Sequence, residues 1–301
     1  RNRFRTIIEN ESGLVEGDGF FLAFSPERVL TGRVFADLRR YPKLVGGVSS
    51  QSTKRACEFY EKALDFDERS DLSKKNGVWD LGSAEAAEMA KLLETTYRDV
   101  NIGLANQFAL HAEDIGVNIY KIIEACNSQG YSHIHQPGIS VGGHCIPVYP
   151  RLYLSTDNNA GIVRASRNQN LAMPSLMLDR FEHRHGSVFD KDVVVLGATY
   201  RGGVKEDAYS GVYSLFDLLV ARGARPTVAD PLYEDHELLG RGLNPVNDPT
   251  SPTIAIFHTD HPQFKELSQS DFPSVRFIID GRGMVSPENW PLASIYTLGL
   301  G

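Results

Sequence analysis

The sequence predicts an α/β protein that ends in a doubly wound parallel sheet. Beyond residue 186, short apolar segments that fit buried strands alternate with helical segments. The predicted strands are Val193–Gly197, Thr227–Asp230, Ile254–Phe257 and Phe277–Asp280, with a helix near Ser214–Arg222. Before them lie a long segment of helical periodicity and, at the start of the chain, a second strand–helix pattern. We expect ligands at the carboxyl ends of the parallel strands.

Residues up to about 80 read as the end of a first α/β domain. Phe20–Phe24 and Lys43–Gly47 fit short buried strands, and a helix is predicted from about Ser52 to Leu64. Arg1–Glu11 resembles the middle of a helix that stops at the turn Ser12-Gly13. The sequence pattern therefore leads us to expect that further residues precede Arg1.

The central segment is predicted to be mainly helical. Ser83 is a candidate N-cap for a helix that runs to about Asp114 and measures about 48 Å at 1.5 Å per residue. Its apolar residues recur every three or four positions, at Met89, Leu93, Tyr97, Val100, Leu104 and Phe108. A helix of this length usually spans two domains or builds a dimer core. Gly116 ends it, a shorter helix follows from Asn118 to Cys126, and another is predicted from about Ile162 to Arg184.

Composition excludes several classes of function. The 301 residues are 42% hydrophobic and 23% charged, with a net charge of -7, which argues against a nucleic-acid partner. No apolar run is long enough to span a membrane, so no membrane partner is expected. Cys57, Cys126 and Cys145 are too few and too widely spaced for a disulfide framework, which favours a cytoplasmic location.

Cys145 follows a run of small residues in the loop Gly138-Ile-Ser-Val-Gly-Gly-His-Cys-Ile-Pro147, which has the most informative sequence of the chain. Glycines keep side chains away, so a ligand could approach the backbone beside the thiol, and a nucleophile would be displayed in this way. Two other interpretations remain open. Cys145 could be a small buried hydrophobe, or His133, His135, His144 and Cys145 could bind a metal, although their spacing is not that of a structural zinc site.

Three further segments could carry chemistry. Lys91 lies among small and apolar residues on the long helix, but taken alone it reads as a surface lysine. Ser25-Pro26-Glu27-Arg28 follows a predicted strand, where α/β active sites collect residues, or it is an ordinary turn. Gly197–Glu206 could hold a diphosphate through Arg201 and Lys205, or be a structural turn. No predicted strand is followed by G-x-G-x-x-G and a helix.

Taken together, these motifs resemble the UDP-glucose/GDP-mannose dehydrogenase family, in particular its UDP-N-acetylmannosamine dehydrogenase-like branch. The matching segments occur in the family's order over almost the whole chain: Phe24–Val29, Pro42–Gly47, Glu88–Glu94, Tyr97–Ile102, Gly142–Pro147 and Asp280–Arg282. The segment with two glycines and Cys145 is specific, whereas the others are convincing only in combination.

The resemblance implies a three-part organisation. Residues 1–80 would be the end of an N-terminal Rossmann-like NAD-binding domain that is otherwise missing from this chain. Residues 81–185 would form a central dimerisation domain built on the long helix and carrying the cysteine loop. Residues 186–301 would form a C-terminal doubly wound domain that binds the nucleotide sugar. The partners implied are a nucleotide-sugar substrate and a second copy of the chain.

The resemblance also implies a reaction. The C6 alcohol of the sugar would be oxidised to a uronic acid with NAD as the cofactor, and Cys145 would carry thiohemiacetal and thioester intermediates. Lys91 would stabilise the oxyanion, Glu27 would orient or deprotonate water, and Thr95 would lie in the same catalytic group. Other assignments are substrate contacts at Ser25, Pro26, Gly138, Gly142, Gly143, Arg201 and Lys205, and cofactor contacts at Gly143 and Arg282. No metal is implied.

Four positions depart from the family's usual pattern. Thr95 replaces an asparagine, Tyr149 an aspartate, and Tyr131 and Ala208 each replace an arginine. These changes fit either a branch with a different sugar or a degraded site. The alternative hypothesis is therefore a non-catalytic protein that binds nucleotide sugars or serves in assembly, and this truncated chain is expected to be inactive alone.

Overall fold

A computed structural model describes residues 1–301 and divides into two compact units, Arg1–Thr95 and Thr96–Gly301. The boundary falls inside the long helix α4 (Ala84–Asp114). The α/β fold class with a long central helix is confirmed. The division into three domains at residues 80 and 185 stays a prediction.

The first unit contains a three-stranded sheet. Before α4 its elements are α1 (Phe4–Ser12), β1 (Ala23–Phe24), α2 (Val34–Arg40), β2 (Lys43–Gly47), α3 (Ser50–Ala63) and β3 (Val78–Asp80). Strand β2 lies in the middle, antiparallel to β1 and parallel to β3. The predicted strand Lys43–Gly47 is confirmed residue for residue. The predicted strand Phe20–Phe24 is reduced to its last two residues, since these are the ones that pair with β2.

Helix α4 begins where the sequence predicts. The Ser83 hydroxyl accepts a hydrogen bond from the Ala86 N–H at 3.2 Å, which confirms the N-cap. The helix has 31 residues and is about 46 Å long. Along its apolar stripe, two-fifths or more of the surface is exposed at Met89, Leu93, Tyr97, Leu104 and Phe108. The stripe is therefore largely uncovered in the single chain.

The second unit is built on a five-stranded parallel sheet. Its elements after α4 are α5 (Ile119–Asn127), α6 (Tyr149–Thr156), α7 (Gly161–His185), β4 (Asp192–Leu196), α8 (Gly211–Ala221), β5 (Arg225–Ala229), α9 (Asp235–Leu239), β6 (Ile254–Phe257), β7 (Phe277–Asp280) and β8 (Ser294–Thr297). The strand order is β5-β4-β6-β7-β8. Neighbouring strands all run parallel.

Alternate residues of the central strands fill two separate cores. Val193 and Val195 belong to the larger core with residues of α7 and α8, whereas Val194 and Leu196 pack in a second core with Phe257. A strand that is apolar at every position is thus buried on both faces, as expected in a parallel sheet. None of the helices combines the length and apolar character needed to span a bilayer.

The order of the strands fixes where ligands are expected. From β4 the chain moves to β5 on one side of β4 and then returns to β6 on its other side. The loops after β4 and β6 therefore diverge at a topological switch point, the usual ligand crevice of an open α/β sheet. Gly197 follows β4 at this point, and His258 follows β6.

Candidate functional site

The glycine and cysteine loop lies at the carboxyl end of the parallel sheet. Ile139 N–H donates to the carbonyl of Gly281, just beyond β7, at 3.0 Å. Gly143 N–H donates to the carbonyl of Ala208, just before α8, at 2.9 Å. The loop that connects α5 to α6 is therefore held against the ends of the strands, in the place where the fold is expected to bind ligands.

Glycines in this loop allow close approach to other parts of the protein. A Cβ added at Gly142 would lie 2.5 Å from Cβ of Tyr200, and one added at Gly138 would lie 2.8 Å from the Arg282 guanidinium. Both distances are shorter than van der Waals contact. Side chains of the protein, Tyr200 and Arg282, therefore occupy the space that the glycine pattern predicts to be open for a ligand. Contacts of Gly138, Gly142 and Gly143 with substrate stay predictions.

Cys145 begins a helical turn. Its carbonyl accepts hydrogen bonds from the N–H groups of Val148 and Tyr149 at 3.2 and 3.0 Å, so the thiol precedes α6 directly. The residue is half-buried and its thiol is free. The neighbouring His144 is exposed and places Nε2 3.3 Å from the Glu206 carboxylate. No group of three His, Cys, Asp or Glu side chains has the proximity needed to hold a metal ion.

A buried histidine holds the middle of the loop. The Ser140 hydroxyl lies 2.9 Å from Nε2 of His258, and Nδ1 of His258 lies 3.0 Å from the Gly197 carbonyl. A carbonyl can only accept, so Nδ1 carries the proton and Nε2 accepts from Ser140. Burial lowers the pKa of His258 to about 3, with the charge of Arg282 adding to the effect. The ring is therefore neutral near pH 7.

His258 makes the stability of this unit depend on pH. The folded protein excludes the proton down to about pH 3, whereas the unfolded chain binds it near the usual pKa of 6.5. Stability is therefore lost as pH falls from 6.5 toward 3, by about 1.4 kcal/mol per pH unit from this residue. We expect His258→Gln to flatten the pH dependence of the free energy of unfolding, measured by urea denaturation. An unchanged slope in the variant would contradict this role.

The loop after β4 packs against two neighbouring strand ends. Ala198 N–H donates to the Asp230 carboxylate at 2.7 Å, and Gly202 N–H donates to the Asp260 carboxylate at 2.8 Å. Arg201 is half-buried in this loop. Lys205 is exposed and forms an ion pair with Glu237 at 2.6 Å. A role of Arg201 and Lys205 in diphosphate binding stays a prediction.

Arg282 links the start of the glycine and cysteine loop to the end of β6. Its Nε donates to the His258 carbonyl at 2.6 Å, and its guanidinium lies against Gly138. Burial lowers the pKa of Arg282 from its usual value, while Asp260 opposes this effect. The contact that the sequence analysis assigns from Arg282 to a cofactor stays a prediction.

In the first unit, Lys91 and Glu27 come together. Nζ of Lys91 donates a hydrogen bond to the backbone carbonyl of Glu27, and Lys91 is only 8% exposed. The helical pattern taken alone predicts a surface position for Lys91. That prediction is wrong, because the segment that follows β1 covers the side chain. The Glu27 side chain itself is exposed and accepts from the Val29 N–H.

The neighbours of Lys91 are also anchored. Ser25 donates to the Leu44 carbonyl at 2.7 Å, and Pro26 is buried. Thr95, one turn after Lys91, is buried and donates its hydroxyl to the Lys91 carbonyl at 2.7 Å. This bond back to its own helix is typical of threonine within helices. The Ser25–Glu27 turn and Lys91 thus form one cluster, and its contact with substrate stays a prediction.

Sequence reasoning missed a set of buried polar residues on α4 and α7. Asp99, Asn106, Arg167 and Asn170 are each at most 4% exposed and are linked by an ion pair between Arg167 and Asp99 and by hydrogen bonds of Asn170 to Asp99 and Asn106. Their spacing, seven residues apart on α4 and three apart on α7, places each pair on one helix face. Polar residues repeated on an otherwise buried face are a signal that could have identified them.

Two models of one protein family match this chain, mostly within its second unit. The central-domain model of the UDP-glucose/GDP-mannose dehydrogenase family matches residues 85–171, and its UDP-binding-domain model matches residues 194–287. The solved structure of UDP-D-ManNAc dehydrogenase from Pyrococcus horikoshii is 31% identical in sequence and superposes with a TM-score of 0.84. The alignment covers the whole of this chain and 70% of the Pyrococcus horikoshii chain. This chain belongs to the UDP-glucose/GDP-mannose dehydrogenase family.

Family members are similar to this chain in sequence as well as in structure. The UDP-N-acetyl-D-mannosamine dehydrogenase sequence of Pyrococcus horikoshii is 35% identical over 93% of this chain. The solved structure of an NDP-N-acetyl-D-galactosaminuronic acid dehydrogenase from Methanosarcina mazei Go1 is 26% identical in sequence and superposes with a TM-score of 0.81. The alignment covers 98% of this chain and 66% of the Methanosarcina mazei chain. This chain spans 65% of the length of the Pyrococcus horikoshii sequence.

Proposed function

We propose that the protein oxidises the C6 alcohol of a nucleotide-activated sugar to a uronic acid, with NAD as the hydride acceptor and Cys145 as the covalent nucleophile. The observation that carries this proposal is the position of Cys145, on a loop held at the carboxyl end of the sheet that matches the family's UDP-binding domain. The relatives are named as dehydrogenases of nucleotide sugars.

Residues 1–301 do not contain the usual dinucleotide-binding motif. No strand among them leads through G-x-G-x-x-G into a helix. When bound, two molecules of NAD in succession would each accept one of the two hydrides that leave the sugar carbon.

Cys145 is proposed to capture the aldehyde formed by the first oxidation. Its sulfur would add to the carbonyl carbon to give a thiohemiacetal, and loss of the second hydride would leave a thioester. Water would then cleave the thioester, releasing the acid and restoring the thiol. A thiolate suits this sequence because it is both a strong nucleophile and a good leaving group.

Lys91 and Glu27 are proposed to assist this chemistry. The Lys91 ammonium, shielded from bulk water, would stabilise the oxyanion of the tetrahedral intermediate. The exposed Glu27 carboxylate would orient or deprotonate the attacking water. Arg201 and Lys205 would neutralise the diphosphate, and Lys205 would have to exchange its ion pair with Glu237 for that purpose.

A second copy of the chain is the proposed protein partner. The exposed apolar side chains along α4 support a dimer through this helix, because so long a hydrophobic stripe is rarely left in water. Light scattering should give the mass of a dimer, and charged substitution at Leu93 should shift it to that of a monomer. A monomeric mass for the unsubstituted protein would contradict the proposal.

Substrate oxidation tests the proposed function directly. A version of the protein that carries an NAD-binding domain is used here and in every later turnover measurement, because the chain alone is expected to be inactive. It is incubated with NAD and, in separate reactions, UDP-N-acetylmannosamine, UDP-N-acetylgalactosamine and UDP-glucose. We expect acid to form from at least one sugar, with two NADH produced per acid because the alcohol loses two hydrides. Calorimetry with the same sugars and no NAD measures binding independently. Binding without oxidation would favour the alternative, a non-catalytic nucleotide-sugar-binding or assembly protein.

A further inference from the structure

The buried polar residues of α4 and α7 are joined by one ion pair and two hydrogen bonds between side chains. Arg167 Nη1 lies 3.0 Å from the Asp99 carboxylate, and Asn170 Nδ2 donates to the same oxygen at 2.8 Å. Asn106 Nδ2 donates in turn to the Asn170 side-chain oxygen at 2.9 Å. The four side chains therefore join the two helices through their polar ends rather than through apolar packing.

Both ends of this group of side chains hold the glycine and cysteine loop. Asn106 Oδ1 accepts from the Gly138 N–H, at the start of the loop, at 2.9 Å. Arg167 Nη1 donates to the carbonyl of Ile146, the residue that follows Cys145, at 3.3 Å. The loop segment that carries the thiol is thus fixed at its two ends by one connected group of side chains.

Stability does not explain this arrangement. Asp99 Oδ2 and Arg167 Nε are buried without a hydrogen-bond partner. Burial raises the pKa of Asp99, although Arg167 and Asn170 oppose the shift. A buried ion pair with such unsatisfied atoms recovers little of its desolvation cost, and apolar residues of similar volume often stabilise as well or better. A gain in stability is therefore a weak reason for polar residues at these positions.

A cavity beside the loop indicates a role for these polar residues in holding the loop. A cavity of about 420 Å³ is lined by Ser140, Val141 and Pro147 of the loop and by Arg167 and Asn170 of α7. On this side the loop is not supported by close packing, so its position depends on its hydrogen bonds. The bonds of Ile139, Ser140 and Gly143 hold the middle of the loop, and the directional bonds from Asn106 and Arg167 hold its two ends.

We propose that Asp99, Asn106, Arg167 and Asn170 act as a clamp that positions the Cys145 thiol by fixing both ends of its loop. Asp99 and Asn170 hold Arg167 and Asn106 in place, and these two contact the loop. All four are positioning residues. The proposal rests on the proposed function only where it identifies Cys145 as the nucleophile.

Alkylation of Cys145 by iodoacetamide tests the clamp without requiring turnover. In a background with Cys57→Ser and Cys126→Ser, the rate reports on this thiol alone. We expect Asp99→Asn and Arg167→Met each to raise the alkylation rate by about fivefold or more, because a released loop exposes the half-buried thiol. Arg167→Met is the milder variant, since Asp99, whose pKa is already raised, can become neutral when the arginine is absent. The double variant should alkylate no faster than the faster single variant.

A second buried carboxylate on the same two helices provides the matched control. Glu113 on α4 lies 3.2 Å from Arg180 and Arg184 on α7, and its other partners, the Tyr296 hydroxyl and the Gly299 N–H, lie outside the loop. Glu113→Gln should weaken folding without changing the alkylation rate. Wild-type rates in both Asp99→Asn and Arg167→Met, or an equal increase in Glu113→Gln, would overturn the clamp.

Turnover measurements separate this proposal from the proposed function. If the protein oxidises a nucleotide sugar, the two clamp variants should lower kcat by about 100-fold with KM changed less than threefold, as expected when a reacting group is displaced by about 1 Å. If the wild-type protein oxidises none, the proposed function fails. The alkylation rates still decide whether the clamp positions Cys145.

Discussion

Cys145→Ser is expected to abolish acid formation. A serine hydroxyl is a poor nucleophile without an adjacent base, and the nearest histidine in sequence, His144, is engaged with Glu206. We expect kcat for acid release to fall by about 10⁴-fold or more, the scale seen when a covalent nucleophile is removed. The measurement is chromatographic quantification of the uronic acid.

The control for Cys145→Ser is Cys126→Ser. Cys126 is a free, half-buried cysteine in α5 and lies outside the loop. Its replacement should leave acid formation within about twofold of the wild-type rate. Acid formation by Cys145→Ser at the wild-type rate would exclude covalent catalysis through this residue.

Lys91→Met is expected to have the second largest effect. Loss of a cation that stabilises an oxyanion typically lowers kcat by about 10²–10³-fold. Methionine fills a similar volume but leaves the Glu27 carbonyl without its donor, so the free energy of unfolding should fall by about 1–3 kcal/mol. The ratio of these two effects distinguishes a catalytic lysine from a structural one. Steady-state kinetics and urea denaturation measure them.

The matched control for Lys91→Met is Lys54→Met on α3. Lys54 is exposed, so removing its charge should affect neither kcat nor folding measurably. Full activity in Lys91→Met, with normal folding, would show that the ammonium group takes no part in the reaction.

Strong local patterns made much of the fold predictable. The apolar segments Ile254–Phe257 and Phe277–Asp280 form strands with the predicted bounds. Ser83 and Gly116 delimit α4 because an N-cap and a glycine with positive φ act through adjacent residues. Strand β8 was missed because Ser294–Thr297 contains only two apolar residues, and only a three-residue 3-10 helix, Pro287–Asn289, separates it from β7.

The candidate site was predictable only in part. Cys145, Lys91 and Glu27 were identified because each lies in a recognisable motif. The residues that hold them were not, because their contacts join distant parts of the sequence. Ser140 and His258 are 118 positions apart, and Asn106 and Asn170 are 64 apart. Spacing within one element cannot report such contacts, which depend on how helices and strands pack.

Covalent catalysis through Cys145 is tested most directly by trapping the intermediate. The protein is mixed with NAD and a sugar that it oxidises, quenched in acid during turnover, digested and analysed by mass spectrometry. We expect the peptide that contains Cys145 to carry the mass of the sugar acyl group as a thioester, and hydroxylamine to remove it. Steady acid formation by protein in which Cys145 has been fully alkylated beforehand would contradict the mechanism.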